Sequence, residues 1–113
     1  MHEMSIALSI LEMVEEEAER QGGRVAVVHL KLGPLAGVDT RALLSAYDLA
    51  REGTPLARTE LVVEEVALTA RCPECDEVRV LPSVQELRCP VCGAPTPEVI
   101  TGRELEVVAL EIE

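Results

Sequence analysis

Four cysteines carry the most specific chemistry in this 113-residue sequence. They occur as two C-x2-C pairs, CPEC at 72–75 and CPVC at 89–92, with thirteen residues between the pairs. The turn in each pair aims both sulfurs at one point, and two such turns can close a tetrahedron around Zn2+. Four thiolates leave no open coordination position, so the expected role is structural rather than catalytic. The spacing therefore predicts a structural zinc site, with the ligands Cys72, Cys75, Cys89 and Cys92.

Two other functions of the cysteine segment are disfavoured. Two redox-active pairs are the alternative chemistry, but the pairs lie close together and no thioredoxin-like unit surrounds them. Nucleic-acid binding would need a basic stripe and stacking aromatic residues. The segment 71–103 has no aromatic residue, and its four arginines are outnumbered by five acidic residues.

The second residue of the chain is a histidine, in the opening MHEMSIALSIL. A free α-amine on Met1, the amide nitrogen of residue 2 and the imidazole of His2 can chelate one metal ion, and Glu3 can supply a fourth donor. Planar nitrogen and oxygen donors suit Ni(II) or Cu(II). The alternative is an exposed histidine without a function, and the chemistry alone favours that alternative.

Composition limits both the fold and the partners. Apolar residues make up 48% of the chain, and Tyr47 is the single aromatic residue, so the core must be built from Val, Leu, Ile and Ala. The net charge of −11 disfavours nucleic acid and anionic membranes as partners. The acidic N-terminal region does not resemble a signal peptide, and no apolar stretch approaches a membrane span. We therefore expect a cytoplasmic protein, in which clustered cysteines bind metal.

Hydrophobic periodicity predicts the elements that must position these residues. Helical spacing over 4–21 indicates an amphipathic helix ended by Gly22-Gly23, and a second helix begins at Asp39 or Thr40 and ends near Arg51. The first helix is predicted to bury Met4, Ala7, Leu8, Leu11, Val14 and Ala18. Alternating patterns predict strands over 24–33, 61–70 and 104–113, and the residues between the cysteine pairs can supply a short hairpin broken at Pro82-Ser83.

This order of elements predicts an α+β fold, in which two helices lie on a three-stranded mixed sheet and a four-cysteine, zinc-ribbon-like lobe is inserted. We expect one α/β domain over 1–70, completed by the C-terminal strand 104–113. The zinc-binding lobe is expected over 71–103.

Several of these features together resemble the HypA/HybF family of hydrogenase-maturation nickel metallochaperones. They are the opening MHEMS before an amphipathic helix, the strand ending in KLGPL, the second helix, and CP-x-C…CP-x-C before a β C-terminus. The resemblance covers essentially the whole chain. It implies that domain 1–70 binds nickel at its N-terminus, with His2 as the key ligand, aided by the Met1 amine and the Glu3 backbone or carboxylate. It also implies a structural zinc in the lobe.

The resemblance implies a carrier that hands Ni2+ to the precursor of the [NiFe]-hydrogenase large subunit, together with a nickel-binding maturation GTPase. Some family members also serve urease. The sequence leaves the oligomeric state open, and a homodimer is one alternative. The alternative function is a zinc-ribbon protein–protein interaction adaptor with an inert N-terminus. An enzyme is disfavoured because the chain offers no catalytic triad and no phosphate-binding glycine loop.

One departure from the family limits the comparison. Some members have a histidine in or beside the zinc lobe, whereas residues 70–103 contain none. The other histidine of this chain, His29, falls in the middle of a predicted strand. We interpret His29 as a surface or packing residue rather than a ligand.

Overall fold

Two helices and six strands follow one another in a computed structural model that describes residues 2–113. In chain order they are α1 (Glu3–Gln21), β1 (Val25–Leu32), α2 (Thr40–Arg51), β2 (Glu60–Glu65), β3 (Thr69–Cys72), β4 (Glu77–Val80), β5 (Glu98–Thr101) and β6 (Leu105–Ile112). A short 3-10 helix, Pro34–Ala36, lies between β1 and α2. Neither helix in the described part of the chain is long and apolar enough to cross a membrane.

The chain divides into two compact units. The first contains the residues up to Leu30, Val38–Glu64 and Glu106–Glu113, and the second contains Lys31–Gly37 and Glu65–Leu105. The division into a domain over 1–70 with 104–113 and a zinc-binding lobe over 71–103 stays a prediction.

Helix α1 buries one apolar stripe and ends where the sequence predicts. Gly22 adopts the left-handed conformation, with φ of 68°, and its N–H donates to the Ala18 carbonyl. Two residues of the predicted stripe, Met4 and Leu8, are exposed instead. The stripe is centred to one side of Leu11, and Leu8 lies roughly 110° around the helix from that centre. The buried residues of α1 are Ala7, Ile10, Leu11 and Val14.

Helix α2 begins at the predicted cap. The side chain of Asp39 accepts a hydrogen bond of 2.8 Å from the N–H of Ala42, which satisfies a donor that the first turn leaves unpaired. Leu43 and Tyr47 are fully buried on its inner face, and α1 packs against α2 in the core of the first unit. The predicted cap and end of this helix are confirmed.

The first sheet has the strand order β2-β1-β6, which confirms a three-stranded sheet that carries the two helices. Glu113 N–H donates to the Arg24 carbonyl at one end of β1, and Gly33 N–H donates to the Glu104 carbonyl at the other end. Residue numbers therefore rise along β1 while they fall along β6, and these two strands are antiparallel.

Strands β1 and β2 run in the same direction, so the sheet is mixed as predicted. Thr59, just before β2, donates its Oγ1 to the carbonyl of Val25 at the start of β1. Val66, just after β2, donates its N–H to the carbonyl of Leu32 at the end of β1. Helix α2 supplies the crossover that parallel neighbours require.

The predicted strand over 61–70 is wrong as a single element. Strand β2 ends at Glu65, and β3 begins at Thr69 in a different sheet. Leu61 is buried in the core of the first unit, whereas Leu68 and Ala70 are buried in that of the second. Position 61 and positions 68 and 70 would face opposite sides of one straight strand, so the chain has to break between them.

The second sheet has the order β4-β3-β5, with antiparallel pairing on both sides of β3. Strand β5 was not predicted from the sequence, because its four residues show no complete alternation. Beside this sheet, Gly33 leaves no room for a side chain: a Cβ there would lie 2.2 Å from the carbonyl oxygen of Gly102. The glycine of the KLGPL segment is therefore a steric requirement of the second unit.

Tyr47 lies at the centre of a buried polar cluster in the first unit. Its hydroxyl donates to the carbonyl of Thr59 at 2.7 Å, and Arg51 Nη1 donates to the same carbonyl at 2.8 Å. Burial is the main cause that raises the pKa of Tyr47 to about 12, against the opposing charge of Arg51. The buried phenol therefore favours its neutral, hydrogen-bond-donating form.

We predict that the Tyr47 phenol ionises at about pH 12 in the folded protein and at about pH 10 after denaturation. Because the folded-state pKa is raised, this contribution to stability is complete below about pH 10 and is lost as the pH rises through 12. Absorbance at 295 nm reports Tyr47 alone, since it is the single tyrosine. A native titration midpoint near pH 10 would contradict the prediction.

The matched control is Tyr47→Phe, which keeps the ring and removes the hydroxyl. Thr59 retains its bond from Arg51, so we expect a loss of about 1 kcal/mol in the free energy of unfolding at neutral pH. Between pH 10 and 12 the urea midpoint of this variant should fall less steeply than that of the parent protein.

Candidate metal centres

The first cysteine pair is the turn of a β-hairpin. Cys72, the last residue of β3, pairs with Glu77, the first residue of β4, so the four residues between them form the loop. The N–H of Asp76 donates to the Cys72 carbonyl at 2.8 Å and closes this loop. Cys75 lies within it, and the hairpin therefore turns both sulfurs toward the same side.

The second cysteine pair repeats this construction. Arg88 and Pro95 form an antiparallel bridge, and inside it the N–H of Gly93 donates to the Cys89 carbonyl at 2.9 Å. Gly93 has φ of 78°, and Asp76, at the same place after the first pair, has φ of 58°. Each CP-x-C turn thus requires a left-handed residue immediately after its second cysteine.

The hairpin predicted between the cysteine pairs is not formed. Strand β4 pairs with β3 across the first cysteine turn, and the second cysteine turn has its own bridge. Pro82 lacks an N–H, so the chain cannot continue a ladder beyond Leu81. The lobe consequently contains two hairpins, each with a cysteine pair as its turn.

The four sulfur atoms converge on one point. All lie within 4.8 Å of one another, and two of the separations are 3.4 Å, between Cys72 and Cys92, and 3.9 Å, between Cys75 and Cys89. A tetrahedral Zn–S4 centre with bonds of about 2.3 Å has sulfur–sulfur edges of about 3.8 Å. The observed separations lie on both sides of that value, and the donor set is the one that structural zinc takes.

Backbone amides stabilise the thiolate form that a metal requires. Cys75 N–H donates to the Cys72 sulfur at 3.3 Å, and Val91 N–H donates to the Cys89 sulfur at 3.4 Å. The N–H of Cys92 is the main cause that lowers the pKa of Cys89. The pKa of Cys92 is raised: although the Ala94 N–H opposes the shift, the Cys72 thiol, burial and the other two sulfurs outweigh it. Sulfurs this close do not all ionise without a cation between them.

At the other predicted site, His2 is exposed and occupies the N-cap position of α1. Its side chain makes no capping hydrogen bond, so the imidazole is not committed to holding the helix. Met1, the third residue of the sequence-based nickel prediction, lies outside the described residues.

Glu3 has a partner that the sequence did not indicate. Its carboxylate accepts a hydrogen bond of 3.2 Å from the backbone N–H of Asp39, the N-cap of α2. That bond, followed by one from its own backbone N–H, lowers the pKa of Glu3. Asp39 was predicted as a helix cap, but its contact with the N-terminal turn depends on packing between residues 36 positions apart.

His29 is half-buried, and its Nε2 lies 2.5 Å from a carboxylate oxygen of Glu111 on β6. His29 and Glu111 together offer two donors, which is fewer than the three that a protein metal site usually provides. Within residues 2–113, the four cysteines are the one group of three or more His, Cys, Asp or Glu side chains whose donor atoms could share a metal ion.

Comparison with known proteins gives a consistent match. A family model described as "Hydrogenase/urease nickel incorporation, metallochaperone, hypA" matches residues 1–112. A protein from Roseiflexus sp. (strain RS-1) named hydrogenase maturation factor HypA is 50% identical over 114 residues, which cover all of this chain and 93% of that protein. A protein of the same name from Chloroflexus aggregans (strain MD-66 / DSM 9485) is 46% identical, with 98% of each chain covered.

Two solved structures share the fold. The solution structure of the Ni metallochaperone HypA from Helicobacter pylori has a TM-score of 0.65 and 22% sequence identity, with 99% of this chain and 97% of that chain covered. A second solution structure, described as HypA protein, has a TM-score of 0.71 and 22% identity, with coverage of 100% and 97%. At this identity the likeness concerns the architecture.

Gly93 and Asp76 occupy matching left-handed positions in the two cysteine turns, so we predict that substitutions at these positions change stability in opposite directions. Gly93→Ala should lower the stability of the metal-loaded protein by about 1 kcal/mol, because alanine resists a left-handed conformation. No atom lies within 4 Å of the added Cβ, so the cost is conformational rather than steric. Thermal unfolding of the metal-loaded protein measures the difference, and an unchanged midpoint would contradict the assignment.

Asp76→Gly should raise stability relative to Asp76→Asn, since both remove the ion pair with Arg71 and only glycine relieves the left-handed backbone fully. Asn is the matched control because its short polar side chain tolerates this conformation. Equal unfolding midpoints for the two variants would count against backbone strain at this turn.

Proposed function

The chain belongs to the HypA family of hydrogenase/urease nickel-incorporation metallochaperones, and we propose that it binds Ni2+ at its N-terminus and delivers it for [NiFe]-hydrogenase maturation. The family is one of maturation factors rather than catalysts. The observation that carries the proposal is a family match that begins at residue 1, where an exposed histidine follows the N-terminal residue.

The proposed nickel ligands are His2, the amine of Met1 and Glu3. His2 is supported by its exposure and by the absence of a capping hydrogen bond to its side chain. Imidazole, amine and amide nitrogens are donors that Ni2+ accepts in planar geometry. For Glu3, the hydrogen bond from Asp39 to the carboxylate favours donation to nickel through the backbone, since the carboxylate already has a partner.

Few and exposed ligands suit a delivery protein. A carrier has to release its cargo. When the ligands lie at the edge of the fold, a receiving site can replace them one at a time as the ion is transferred. The donors must lose protons when they bind, so nickel affinity falls as the pH falls. The acidic outer face of α1, rich in glutamate, raises the local concentration of cations to a modest, salt-dependent extent.

The proposed zinc ligands are Cys72, Cys75, Cys89 and Cys92, and the separations between their sulfur atoms support this assignment. When bound, zinc would supply a cross-link between the two cysteine turns and no open coordination position for catalysis. Each turn contributes two sulfurs and holds them with backbone amides, so the protein orients the thiolates.

For partners, we propose a nickel-binding maturation GTPase and the precursor of the hydrogenase large subunit; urease maturation is a second destination. The role of the family in hydrogenase maturation supports these partners. We place the protein in the cytoplasm, where thiols stay reduced and clustered cysteines bind metal rather than form disulfides. A homodimer stays a prediction.

The nickel site is tested by titrating Ni2+ into the untagged, zinc-loaded protein by calorimetry. We expect one site, and we expect His2→Ala to lose at least ten-fold in affinity because the imidazole supplies one of few donors. An extension before Met1 should have a similar effect, since it converts the amine into an amide. Equal stoichiometry and affinity in all three proteins would rule out an N-terminal site.

Two variants sharpen this test. His29→Ala is the matched control, since it removes the other histidine of the chain, and should leave nickel affinity unchanged. Glu3→Gln keeps a hydrogen-bond acceptor for Asp39 but removes the negative charge. Retained affinity in Glu3→Gln indicates donation through the backbone, and a large loss indicates the carboxylate.

The zinc site is tested by metal analysis of the protein before and after chelation. We expect one zinc per chain, and its removal should unfold the second unit, because metal binding and folding are coupled in such sites. Far-ultraviolet circular dichroism measures the loss of structure. Cys75→Ser should copy the chelated state, and a Cys75→Ser protein with full zinc content would contradict the assignment.

The nickel titration and the zinc analysis also separate the carrier from a zinc-ribbon interaction adaptor. An adaptor would bind one zinc tightly and no second metal. It would also lose partner binding only when the cysteines are changed.

A further inference from the structure

Arg79 lies on the same face of the small sheet as the first zinc-ligand candidate. On β3, the residues buried to 0% exposure are Ala70 and Cys72. In the β3–β4 register, Ala70 pairs with Arg79 and Cys72 pairs with Glu77. Directly paired residues of antiparallel strands share a face, and the diagonal neighbour is within reach of a long side chain. Arg79 is therefore placed inward, beside the cysteine cluster.

The head of this arginine is largely removed from solvent. The side chain of Arg79 is 25% exposed, and its Nε is buried with no hydrogen-bond partner in the described part of the chain. Nη1 lies 3.0 Å from a carboxylate oxygen of Glu77, so this ion pair provides a partner for one nitrogen of the guanidinium. A buried N–H donor without an oxygen partner requires another hydrogen-bond acceptor.

The cysteine cluster is on this face of the sheet, since Cys72 shares the buried face with Ala70, the residue that pairs with Arg79. Hydrogen bonding to the Cys75 thiol is the main cause that raises the pKa of Arg79; burial opposes this shift, and the Cys89 thiol adds to it. These two cysteines belong to different turns, and their sulfurs lie 3.9 Å apart. Both cysteine turns therefore contribute to the electrostatic stabilisation of the protonated guanidinium.

We propose that Arg79 is a positioning residue of the cysteine metal site, which donates to the sulfurs of Cys75 and Cys89 and joins the two turns from outside the metal. A Zn2+ with four thiolates carries a net charge of −2, and a guanidinium is a cation with five donors in a fixed plane. Hydrogen bonds from charged donors to such thiolates lower their tendency to take up protons or to attack electrophiles. Arg79 therefore slows both metal loss and modification of these two cysteines.

Two other arginines of the lobe, Arg71 and Arg88, have different partners. Arg71, whose side chain is 41% exposed, is paired with Asp76, and Arg88 Nη1 donates to the carbonyl of Gly93. In the register, Arg71 pairs with Val78, which is exposed on the opposite face of the sheet from Arg79. Arg71 offers a matched control, because its replacement changes the lobe charge by the same amount.

The experiment compares Arg79→Gln, Arg79→Lys and Arg71→Gln in the zinc-loaded full chain. The first readout is the rate of zinc transfer to an excess of a chromogenic chelator at fixed pH. The second is the rate of alkylation of each cysteine by iodoacetamide, followed by peptide mass spectrometry. Circular dichroism of the loaded proteins verifies that the variants are folded before transfer begins.

We expect Arg79→Gln to transfer zinc about ten-fold faster than the parent protein, since removal of a residue that supports metal ligands costs about that factor in affinity. Cys75 and Cys89 should be alkylated faster relative to Cys72 and Cys92. Arg79→Lys should fall between the parent and Arg79→Gln, because lysine keeps the charge but not the planar fork. Arg71→Gln should match the parent.

The inference is overturned if Arg79→Gln and Arg71→Gln release zinc equally fast and show the same alkylation pattern. It is also overturned if all four cysteines are accelerated equally, because that result indicates general loosening of the lobe. The inference rests on the proposed zinc site, and the parent protein separates the two failures. A parent without bound metal defeats the zinc site itself, whereas a loaded parent with an ineffective Arg79→Gln defeats only the role of Arg79.

Discussion

Four sulfur atoms from two separate turns converge on one point, and this convergence is the main geometric constraint on the second unit. The apolar core of that unit is small: Leu68, Ala70 and Leu81 are buried, with only a few partly buried neighbours. A core of this size supplies little stability without a cross-link. Each cysteine pair is therefore built into a hairpin turn with a left-handed residue after it, so that the backbone directs the sulfurs before any metal arrives.

The two candidate metal sites differ in how firmly their ligands can hold an ion. The cysteine cluster has four soft donors, two of them buried, and backbone amides donate hydrogen bonds to two of the sulfurs. These properties favour retention of an ion. The N-terminal residues His2 and Glu3 lie at the first turn of α1, where the imidazole is exposed and has no capping role. A site of that kind exchanges its ion readily, which is the property that a nickel carrier requires.

The first unit gains its rigidity from an apolar core and one buried polar cluster. Helices α1 and α2 pack together over the sheet, and the Thr59 carbonyl accepts bonds from both Tyr47 and Arg51. Thr59 also donates to Val25, so one residue ties α2 to the first strand. The hydrogen bond from the N-cap of α2 to Glu3 joins the N-terminal turn to the second helix of this unit.

The sequence by itself determined what depends on neighbours along the chain. The end of α1 at Gly22 and the cap of α2 at Asp39 follow from local chemistry, and both were predicted. The cysteine spacing also predicted the sulfur cluster that the structure shows. Tertiary structure decided what depends on distant partners. The break between β2 and β3 separates two cores, and the face of α1 that packs in the first core contains Ile10 while Leu8 stays exposed. The hydrogen bond from Asp39 to Glu3 depends on helix packing, and the position of Arg79 on the same face as Cys72 depends on strand register. No local pattern encodes either of them.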